Sequence, residues 1–552
     1  MEPATSQSEL ISNFVKSIRD KSNFNSVKMQ GDIYFQNKYQ KKNEFDLGNL
    51  MMASYDFSNG NLYDSVNRLE YIIKNEPKFN SAHHFYIQVL IKLNLGIKIE
   101  EAIQNAIKYH PEDPLFLNLF GKNLLFNGEK HKALTYLEKA VEKNPHECAF
   151  WLDLSFCYFS LLNLKMAELC LLTAEQINPK HKRCLMLKAL LLQEESKYDE
   201  SLDMYRKAIE LYPNDKELTI DMAILYLRIG RKFEGYKLYN FVDTSKRINL
   251  YNLIDTAKIS YNQNHIAKIQ SLDDLNKLHI SSKKPYKILI FLEQGFGDVI
   301  NFYRYLPYLQ KKGHSITTIA PKNSIIPLLR CTLDSGKIKF LKKIKYEDIN
   351  HFDFKTVVLN LPFILDMTDK PPPPISFNFK KLEKNKEKLI HRLKKLKEKG
   401  KVIGVSWKGN KKHLHDESRS INLSLFSKIF KNSKITFLVI DKEISNKDQS
   451  FLKKFKNVLL CNNLISDWID TAIIVSRLDE VITVDTSLAH IAGTLNIPTK
   501  IMISKVPDWR WGIKENTTEW YKSVKLLRQK NSGDWESIIN NLANKLSSKT
   551  KY

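Results

Sequence analysis

The sequence predicts an all-helical repeat array followed by a pair of doubly wound α/β domains. Prolines recur every 34 residues in the first half, and a fixed period of this length is the signature of stacked helix pairs. In the second half, short β-branched segments alternate with helical ones, which indicates parallel sheets covered by helices. At 552 residues, the chain is also too long for a single hydrophobic core, so several domains are expected.

Residues 43–246 are predicted to form the repeat array, after a polar segment of a few helical turns at residues 1–42, to which we assign no function. The period is set by Pro77, Pro111, Pro145, Pro179 and Pro213. Small residues recur at two constant offsets, where they let helices cross closely: Ala106, Ala140, Ala174 and Ala208, then Gly121, Ser155, Ala189 and Ala223. The first unit departs from the pattern at Ile87. The proline period stops before residues 247–284, which we assign as the junction.

Residues 285–398 and 399–552 are assigned as the two α/β domains. The segments YKILIFL, SITTIAP and KTVVLNLP read as strands of the first, and KVIGVSW, ITFLVID, EVITVD and TKIMIS as strands of the second. Four consecutive prolines, Pro371 to Pro374, and a lysine-rich stretch interrupt the alternation. Ligands of such sheets bind at the carboxyl ends of the strands, so candidate functional residues are sought there.

A glycine-rich turn follows the first strand, in FLEQGFGDVINFYRYLP. Gly295 and Gly297 fit a dinucleotide fingerprint, but Ile300 occupies its third glycine position, and the next strand ends without an acid for a ribose. A nicotinamide cofactor is therefore not expected. Asp298, at the start of the following helix, has two interpretations: a helix N-cap, or a functional carboxylate at a turn whose backbone a ligand can approach closely.

Two further strand ends carry groups suited to an anion. In VDTSLAHIAGTL, Asp485 ends a strand, Thr486 can cap a helix whose N–H groups suit a diphosphate, and His490 lies one turn on. The alternative is a capped helix with a buried, hydrogen-bonded histidine. The loop in VSWKGNKKHLHDESRSINL carries these cations: Lys408, Lys411, Lys412, His413, His415 and Arg419. We interpret the lysines as a solvated basic loop and Arg419 as a diphosphate ligand.

A tryptophan cluster follows the last strand in VPDWRWGIKENTTEWYKS. It consists of Trp509, Trp511 and Trp520, with Asp508 and Arg510 beside them. Exposed indoles would stack on sugar or base rings while the charged pair bonds hydroxyls. The alternative is an aromatic plug between domains.

The chain resembles bacterial tetratricopeptide-repeat proteins whose carboxyl-terminal domain is similar to glycosyltransferase family 9, the ADP-heptose:lipopolysaccharide heptosyltransferases. In the second half, the resemblance rests on EQGFGDVINFYRYLP, VSWKGN with RSINL, DTSLAHIAGTLNIPT, VPDWRWG and RQKNSGDW, in that order. The combination also resembles the nucleocytoplasmic O-GlcNAc transferases, which join similar repeats to a GT-B domain, although their acceptor-side histidine motif is missing here.

This resemblance implies a GT-B fold and inverting sugar transfer without a metal or other cofactor. It assigns Asp298 as the general base on the acceptor hydroxyl. It assigns the nucleotide-sugar donor to Gly295, Gly297, Trp407, Lys408, Arg419, Asp485, Thr486, Ser487 and His490, and sugar or acceptor contacts to Asp508, Trp509, Arg510 and Trp511. Ser487 stands where heptosyltransferases have a glycine, which leaves the identity of the donor open.

Composition bounds the partners and the compartment. The net charge is +25, but of 86 basic residues only 14 are arginine, and we interpret the excess of lysine as genome composition rather than a nucleic-acid surface. Peripheral contact with anionic membrane lipids stays open. The six cysteines show no metal or disulfide spacing and are expected to be buried thiols. No secretory signal or membrane-spanning run is recognisable, so we expect a cytoplasmic protein.

These observations predict a glycosyltransferase that moves a sugar from a nucleotide donor to a hydroxyl of a protein or glycan. In this interpretation, the repeats recognise the acceptor or a partner protein. The alternative is an interaction scaffold whose transferase domain is degenerate and non-catalytic.

Overall fold

A computed structural model describes residues 42–93, 95–241, 285–292, 295–320, 323–333, 338–349, 351–384, 386–410, 413 and 416–548. The predicted polar segment 1–42, except its last residue, and the predicted junction 247–284 lie outside these ranges. The chain divides into two compact units, one ending at Cys157 and the other beginning at Tyr158. The last repeats therefore belong to the same unit as the α/β domains.

The repeat array is built from paired helices, as the proline period predicts. Those of the first unit are α1 (Lys42–Ser58), α2 (Leu62–Asn75), α3 (Asn80–Leu93), α4 (Gly96–Tyr109), α5 (Pro114–Phe126) and α6 (Lys130–Lys143), with α7 (Cys148–Ser160) crossing the division. The second unit continues with α8 (Leu164–Ile177), α9 (Lys182–Glu194), α10 (Tyr198–Leu211), α11 (Lys216–Arg228) and α12 (Lys232–Phe241).

The recurrent residues have the packing roles that their spacing predicts. Each periodic proline comes just after the second helix of a pair, for example Pro111 after α4, because proline cannot continue a helix. A Cβ on Gly121 would lie 2.7 Å from Cγ of Leu137 in the paired helix, so only glycine permits this approach. Ile87, the departure in the first unit, is buried in the core of that unit. All six cysteines are buried, as predicted.

The first sheet has four parallel strands: β1 (Lys287–Phe291), β2 (Ser315–Ile319), β3 (Ile338–Leu341) and β4 (Phe354–Val357). They lie in the order β3-β2-β1-β4. The helices of this region are α13 (Phe296–Phe302), α14 (Leu306–Lys311), α15 (Ile326–Leu329), α16 (Tyr346–Ile349), α17 (Leu361–Ile364) and α18 (Phe379–Leu382).

The second sheet has six parallel strands: β5 (Lys401–Ser406), β6 (Ile435–Val439), β7 (Val458–Leu460), β8 (Glu480–Val484), β9 (Thr499–Ile503) and β10 (Val524–Arg528). Its helices are α19 (Glu387–Lys397), α20 (Asp416–Arg419), α21 (Leu423–Phe426), α22 (Asn446–Leu452), α23 (Trp468–Ser476), α24 (Ser487–Thr494) and α25 (Glu536–Ser548).

The order of the second sheet, β10-β9-β8-β5-β6-β7, reverses direction between β5 and β8. Alternate residues of each strand enter different cores: Val405 and Ile482 pack with α25 on one face, and Val402 and Val481 pack with α23 on the other. Helices thus cover both faces, as a doubly wound sheet requires. Ligands in such sheets bind in the crevice at the reversal, beyond the carboxyl ends of the strands. The parallel α/β architecture is confirmed, whereas the GT-B arrangement stays a prediction.

Within the described ranges, no helix combines the length and the apolar character needed to cross a membrane.

Candidate functional site

Three of the motifs singled out in the sequence meet at the carboxyl ends of the strands. Asp298 comes from α13, after β1; Asp485 and His490 follow β8; Asp508 and Arg510 follow β9. Helix α13 packs directly against α24, so the ends of the two sheets face each other here. This convergence is a tertiary arrangement, because the three segments are distant in the chain.

Asp298 closes the start of its helix and also forms an ion pair. Its Oδ2 accepts a hydrogen bond from the backbone N–H of Gly295 at 3.0 Å, and its Oδ1 pairs with Nη2 of Arg510. The N-cap residue is Gly295, so the N-cap interpretation of Asp298 is wrong: Asp298 is the third residue of the helix, and its carboxylate accepts the N–H of the cap residue. Burial raises the pKa of Asp298, an effect that Arg510 partly offsets and Asp508 reinforces. The side chain stays 17% exposed, so solvent reaches it.

Arg510 holds two carboxylates with one guanidinium. Besides Asp298, its Nη1 donates to Oδ1 of Asp508 at 2.7 Å. Burial opposes the charge, but the two acids outweigh burial and raise the pKa of Arg510 above its ordinary value. The planar group also lies 4.4 Å from the ring centroid of Trp509. Asp508 responds in the opposite direction: burial would raise its pKa, but Arg510 lowers it overall.

Asp485 lies beside a second arginine at the reversal of the second sheet. Nη1 of Arg419 donates to the backbone carbonyl of Asp485 at 3.2 Å, and its Nε donates to Asp416 at 3.2 Å. Burial, followed by repulsion from Asp508, raises the pKa of Asp485 to about 6. A Cβ on Gly409 would lie 2.5 Å from Nε of Arg419, so glycine at this loop position leaves room for the guanidinium.

The start of α24 lacks a cap from its own N-cap side chain. Thr486 is its N-cap residue, with extended backbone, but the Thr486 side chain makes no capping hydrogen bond. Oγ1 of Thr486 lies 3.4 Å from that of Thr483 instead. The predicted diphosphate ligands Thr486 and Ser487 therefore lie at a helix end whose N–H groups have no side-chain partner among the described residues, beside Arg419.

His490 is buried between the two helices. Its Nδ1 hydrogen-bonds the hydroxyl of Tyr521 at 3.0 Å, its ring stacks on Trp511 with centroids 5.2 Å apart, and a Cβ on Gly297 would lie 2.6 Å from its Cδ2. Burial, aided by Arg510, lowers the pKa of His490 to about 3, so the ring is neutral. These contacts are those of the packed, hydrogen-bonded histidine. A role in donor binding remains a prediction.

The tryptophan cluster forms a plug. Trp509, Trp511 and Trp520 are all buried, and Trp509 packs near Phe302 of the glycine-turn helix with centroids 6.0 Å apart. Nε1 of Trp520 donates to the carbonyl of Arg510 at 2.8 Å. In this structure the indoles support the charged residues beside them and do not offer an open stacking surface for a sugar.

The loop after β5 is partly described. Trp407 is buried and packs against Phe426, which makes it a core residue here, and Lys408 pairs with Asp448 at 3.0 Å. His413 is exposed. The predicted cations Lys411, Lys412 and His415 lie outside the described residues.

Sequence reasoning missed Asp441, which follows β6. Its Oδ1 accepts a hydrogen bond from Ser406 at 2.8 Å, and its Oδ2 is buried with no hydrogen-bond partner among the described residues. Burial raises the pKa of Asp441 to about 6. The signal was an acid at the end of ITFLVID, the second strand of a doubly wound sheet, where such an acid can bond ribose hydroxyls. Asn301 and Tyr521, which link α13 to His490 at 3.0 Å, were also missed.

Comparison with known proteins bears on the repeats. A tetratricopeptide repeat model matches residues 183–215. The first half therefore contains tetratricopeptide repeats, and repeats of this class provide surfaces for protein partners. Two curated relatives are BBSome complex member BBS4 of Bos taurus, 26% identical over 148 residues, and the protein of the same name from Mus musculus, 31% identical over 148 residues. The match covers 26% of this chain and 28% of each relative, so the chain spans little more than a quarter of their length.

Solved structures similar to the chain include MamA and TTC0263, a tetratricopeptide-repeat protein of Thermus thermophilus. MamA is 16% identical, with a TM-score of 0.26 over 29% of this chain and 94% of its own. TTC0263 is 21% identical, with a TM-score of 0.28 over 33% of this chain and 99% of its own.

Proposed function

We propose that the protein is a glycosyltransferase of the family 9 type, with a GT-B arrangement, that transfers a sugar from a nucleotide donor to an acceptor hydroxyl. The observation that supports this most strongly is the meeting of Asp298, Arg510 and Asp508 at the carboxyl ends of two parallel sheets, beside the uncapped start of α24. A partly exposed carboxylate and a helix end suited to phosphate are the two groups that this chemistry needs.

Asp298 is proposed as the general base. The carboxylate takes the proton of the acceptor hydroxyl while the hydroxyl oxygen forms a bond to the anomeric carbon, and the bond from that carbon to the diphosphate oxygen breaks. The electron pair of the broken bond leaves with the nucleoside diphosphate, so the step balances in atoms and electrons without a further reactant. Arg510 holds the base in place and favours its ionised form.

The leaving diphosphate is proposed to bind at the start of α24. Its N–H groups and the positive end of the helix dipole favour an anion, and Arg419 adds a fixed positive charge beside Asp485. The ribose is assigned to Asp441, whose Oδ2 lacks a hydrogen-bond partner among the described residues and which lies at the end of the strand next to β5.

The test is release of nucleoside diphosphate by the purified protein over a panel of nucleotide sugars that includes ADP-heptose and UDP-N-acetylglucosamine. Each donor is incubated with and without a mixture of peptide and glycan acceptors, and Asp298→Ala is the comparison. We expect release from one donor, lost in the variant. Calorimetry with the same donors separates binding from turnover.

The second candidate is a protein-interaction scaffold without catalysis, which the repeat match favours. It predicts no turnover of any donor, with or without acceptor, while a protein partner is still retained by the repeats. No turnover together with no donor binding in calorimetry would select the scaffold. Acceptor class, protein or glycan, follows from which acceptor stimulates release.

A further inference from the structure

We propose that Arg228, at the end of repeat helix α11, is a positioning residue that holds the loop carrying Asp508 and Arg510 against the candidate catalytic carboxylate. This inference rests on the proposed function. It gives the last repeat a role within the transferase reaction in addition to any role in binding a partner.

The contact is direct and polar. Nε of Arg228 donates to the backbone carbonyl of Pro507 at 2.8 Å, one residue before Asp508. Its Nη1 donates to Oε1 of Gln193, which lies on the first helix of the preceding repeat. The guanidinium therefore joins two repeats to the loop after β9, and its charge helps to lower the pKa of Asp508.

A second contact from the same repeat reaches the next part of the loop. The ring of Tyr236 in α12 meets Trp509 edge-on, with centroids 5.9 Å apart, and both side chains are buried. The repeat thus contacts the loop at Pro507 and at Trp509, on either side of Asp508. These two contacts restrict the backbone that carries Asp508 and Arg510.

The position of the loop determines the position of the group that pairs with Asp298. Asp508 accepts hydrogen bonds from the backbone N–H and the side chain of Arg510, and Arg510 forms the ion pair with Asp298. A base must lie within hydrogen-bond reach of the proton it removes, so a small displacement of Arg510 would reduce turnover without removing a donor contact.

The test compares Arg228→Gln with Arg228→Lys and with Arg231→Gln. Arg231 is a matched control, because it lies just beyond the end of α11 and pairs with exposed Glu234. For each protein we would measure kcat and KM for the donor, and deuterium exchange of the amides at residues 508–512. We expect Arg228→Gln to lower kcat about tenfold or more with KM for the donor within about twofold, and to speed exchange in the loop. Arg228→Lys should restore part of both, and Arg231→Gln should match wild type.

Equal kcat in Arg228→Gln and Arg231→Gln would overturn the proposal while leaving the transferase intact. If Arg228→Gln does not fold, Arg228→Met, which keeps much of the length of the side chain but not its donors, carries the comparison, and wild-type exchange with wild-type kcat in that variant would overturn the proposal. If no donor turns over in wild type, the proposed function fails, and deuterium exchange alone tests whether Arg228 holds the loop. Unchanged amide exchange at residues 508–512 in Arg228→Gln would then reject that role for Arg228.

Discussion

Asp298 is ion-paired to Arg510, although the first follows a strand of one sheet and the second follows a strand of the other. Arginine suits this position because its rigid fork presents separate donors, and Arg510 uses Nη2 for Asp298 and Nη1 for Asp508. The pair makes the glycine-rich turn and the tryptophan-rich loop one site. Lysine would supply a single point charge and could not fix both acids in the same geometry.

Replacing Asp298 by Ala is expected to remove transfer while leaving donor binding nearly unchanged, because a base acts in the transition state. The fall in turnover should be about 10²- to 10⁴-fold, the usual contribution of general-base catalysis. Nucleoside diphosphate release and calorimetry measure the two quantities. Asp203→Ala, on an exposed ion pair in the repeats, is the control. Turnover equal to that of the control would exclude Asp298 from the mechanism.

Replacing Asp441 by Asn is expected to weaken donor binding by about tenfold, because an amide is a poorer acceptor for a ribose hydroxyl than a carboxylate. Calorimetry with the nucleoside diphosphate alone gives the dissociation constant. Asp448→Asn is the neighbouring control, since Asp448 already pairs with Lys408. A larger loss in the control than in Asp441→Asn would move the ribose to Asp448, in the first turn of α22.

Replacing Asp485 by Asn is expected to stabilise the fold at pH 8. The folded-state pKa, about 6, is above the unfolded value of about 3.9, so the folded state binds the proton more tightly. Wild-type stability from this group is therefore present at low pH and lost as pH rises through 6. At pH 8 we expect the variant to have a higher melting temperature than wild type and a free energy of unfolding larger by roughly 1–3 kcal/mol. At pH 5 this difference in free energy of unfolding should be smaller. A larger gain in stability at pH 5 than at pH 8 would contradict a folded-state pKa of Asp485 above its unfolded value.

Replacing His490 by Gln should reduce the loss of stability that occurs as the pH falls. The folded-state pKa of about 3 lies below the ordinary 6.5, so the unfolded chain takes up a proton that the native protein rejects. Wild type should lose stability as pH falls from 6.5 towards 3, and the variant should lose less. Melting temperatures between pH 7 and pH 4.5 test this, with exposed His351→Gln as control. If donor binding by His490→Ala is unchanged, the histidine is a packing residue only.

Replacing Gly297 by Ala is expected to destabilise the contact between α13 and α24. The new Cβ would lie 2.6 Å from Cδ2 of His490 and 3.4 Å from Cα of Ser487, so the helices must separate. Overpacking of this kind costs about 1–3 kcal/mol. Gly295→Ala is the matched variant, because among the described residues its Cβ would meet only Oδ2 of Asp298, at 3.3 Å. Equal melting temperatures for the two variants would contradict the close packing.

Much of the candidate site was predictable, because parallel strands end at one edge of their sheet. Asp298, Asp485 and Asp508 were identified from residues that follow β-branched segments, and the structure brings them together. Trp407 was assigned to the donor but is buried against Phe426, since an apolar residue at a strand end can turn into the core as readily as into the cleft. The Tyr521 partner of His490 was missed because its position depends on how α13 meets α24.

The sequence by itself determined the repeat period, the helix ends at the prolines, the parallel α/β class and the strand ends that carry polar residues. Each of these depends on local chain properties: proline stops a helix, small residues permit close crossing, and β-branched runs favour strands. Only the tertiary structure decided that Arg510 serves Asp298 and that Arg228 of a repeat reaches the same loop. Pairing between distant segments depends on the packing of whole elements, which spacing along the chain does not encode.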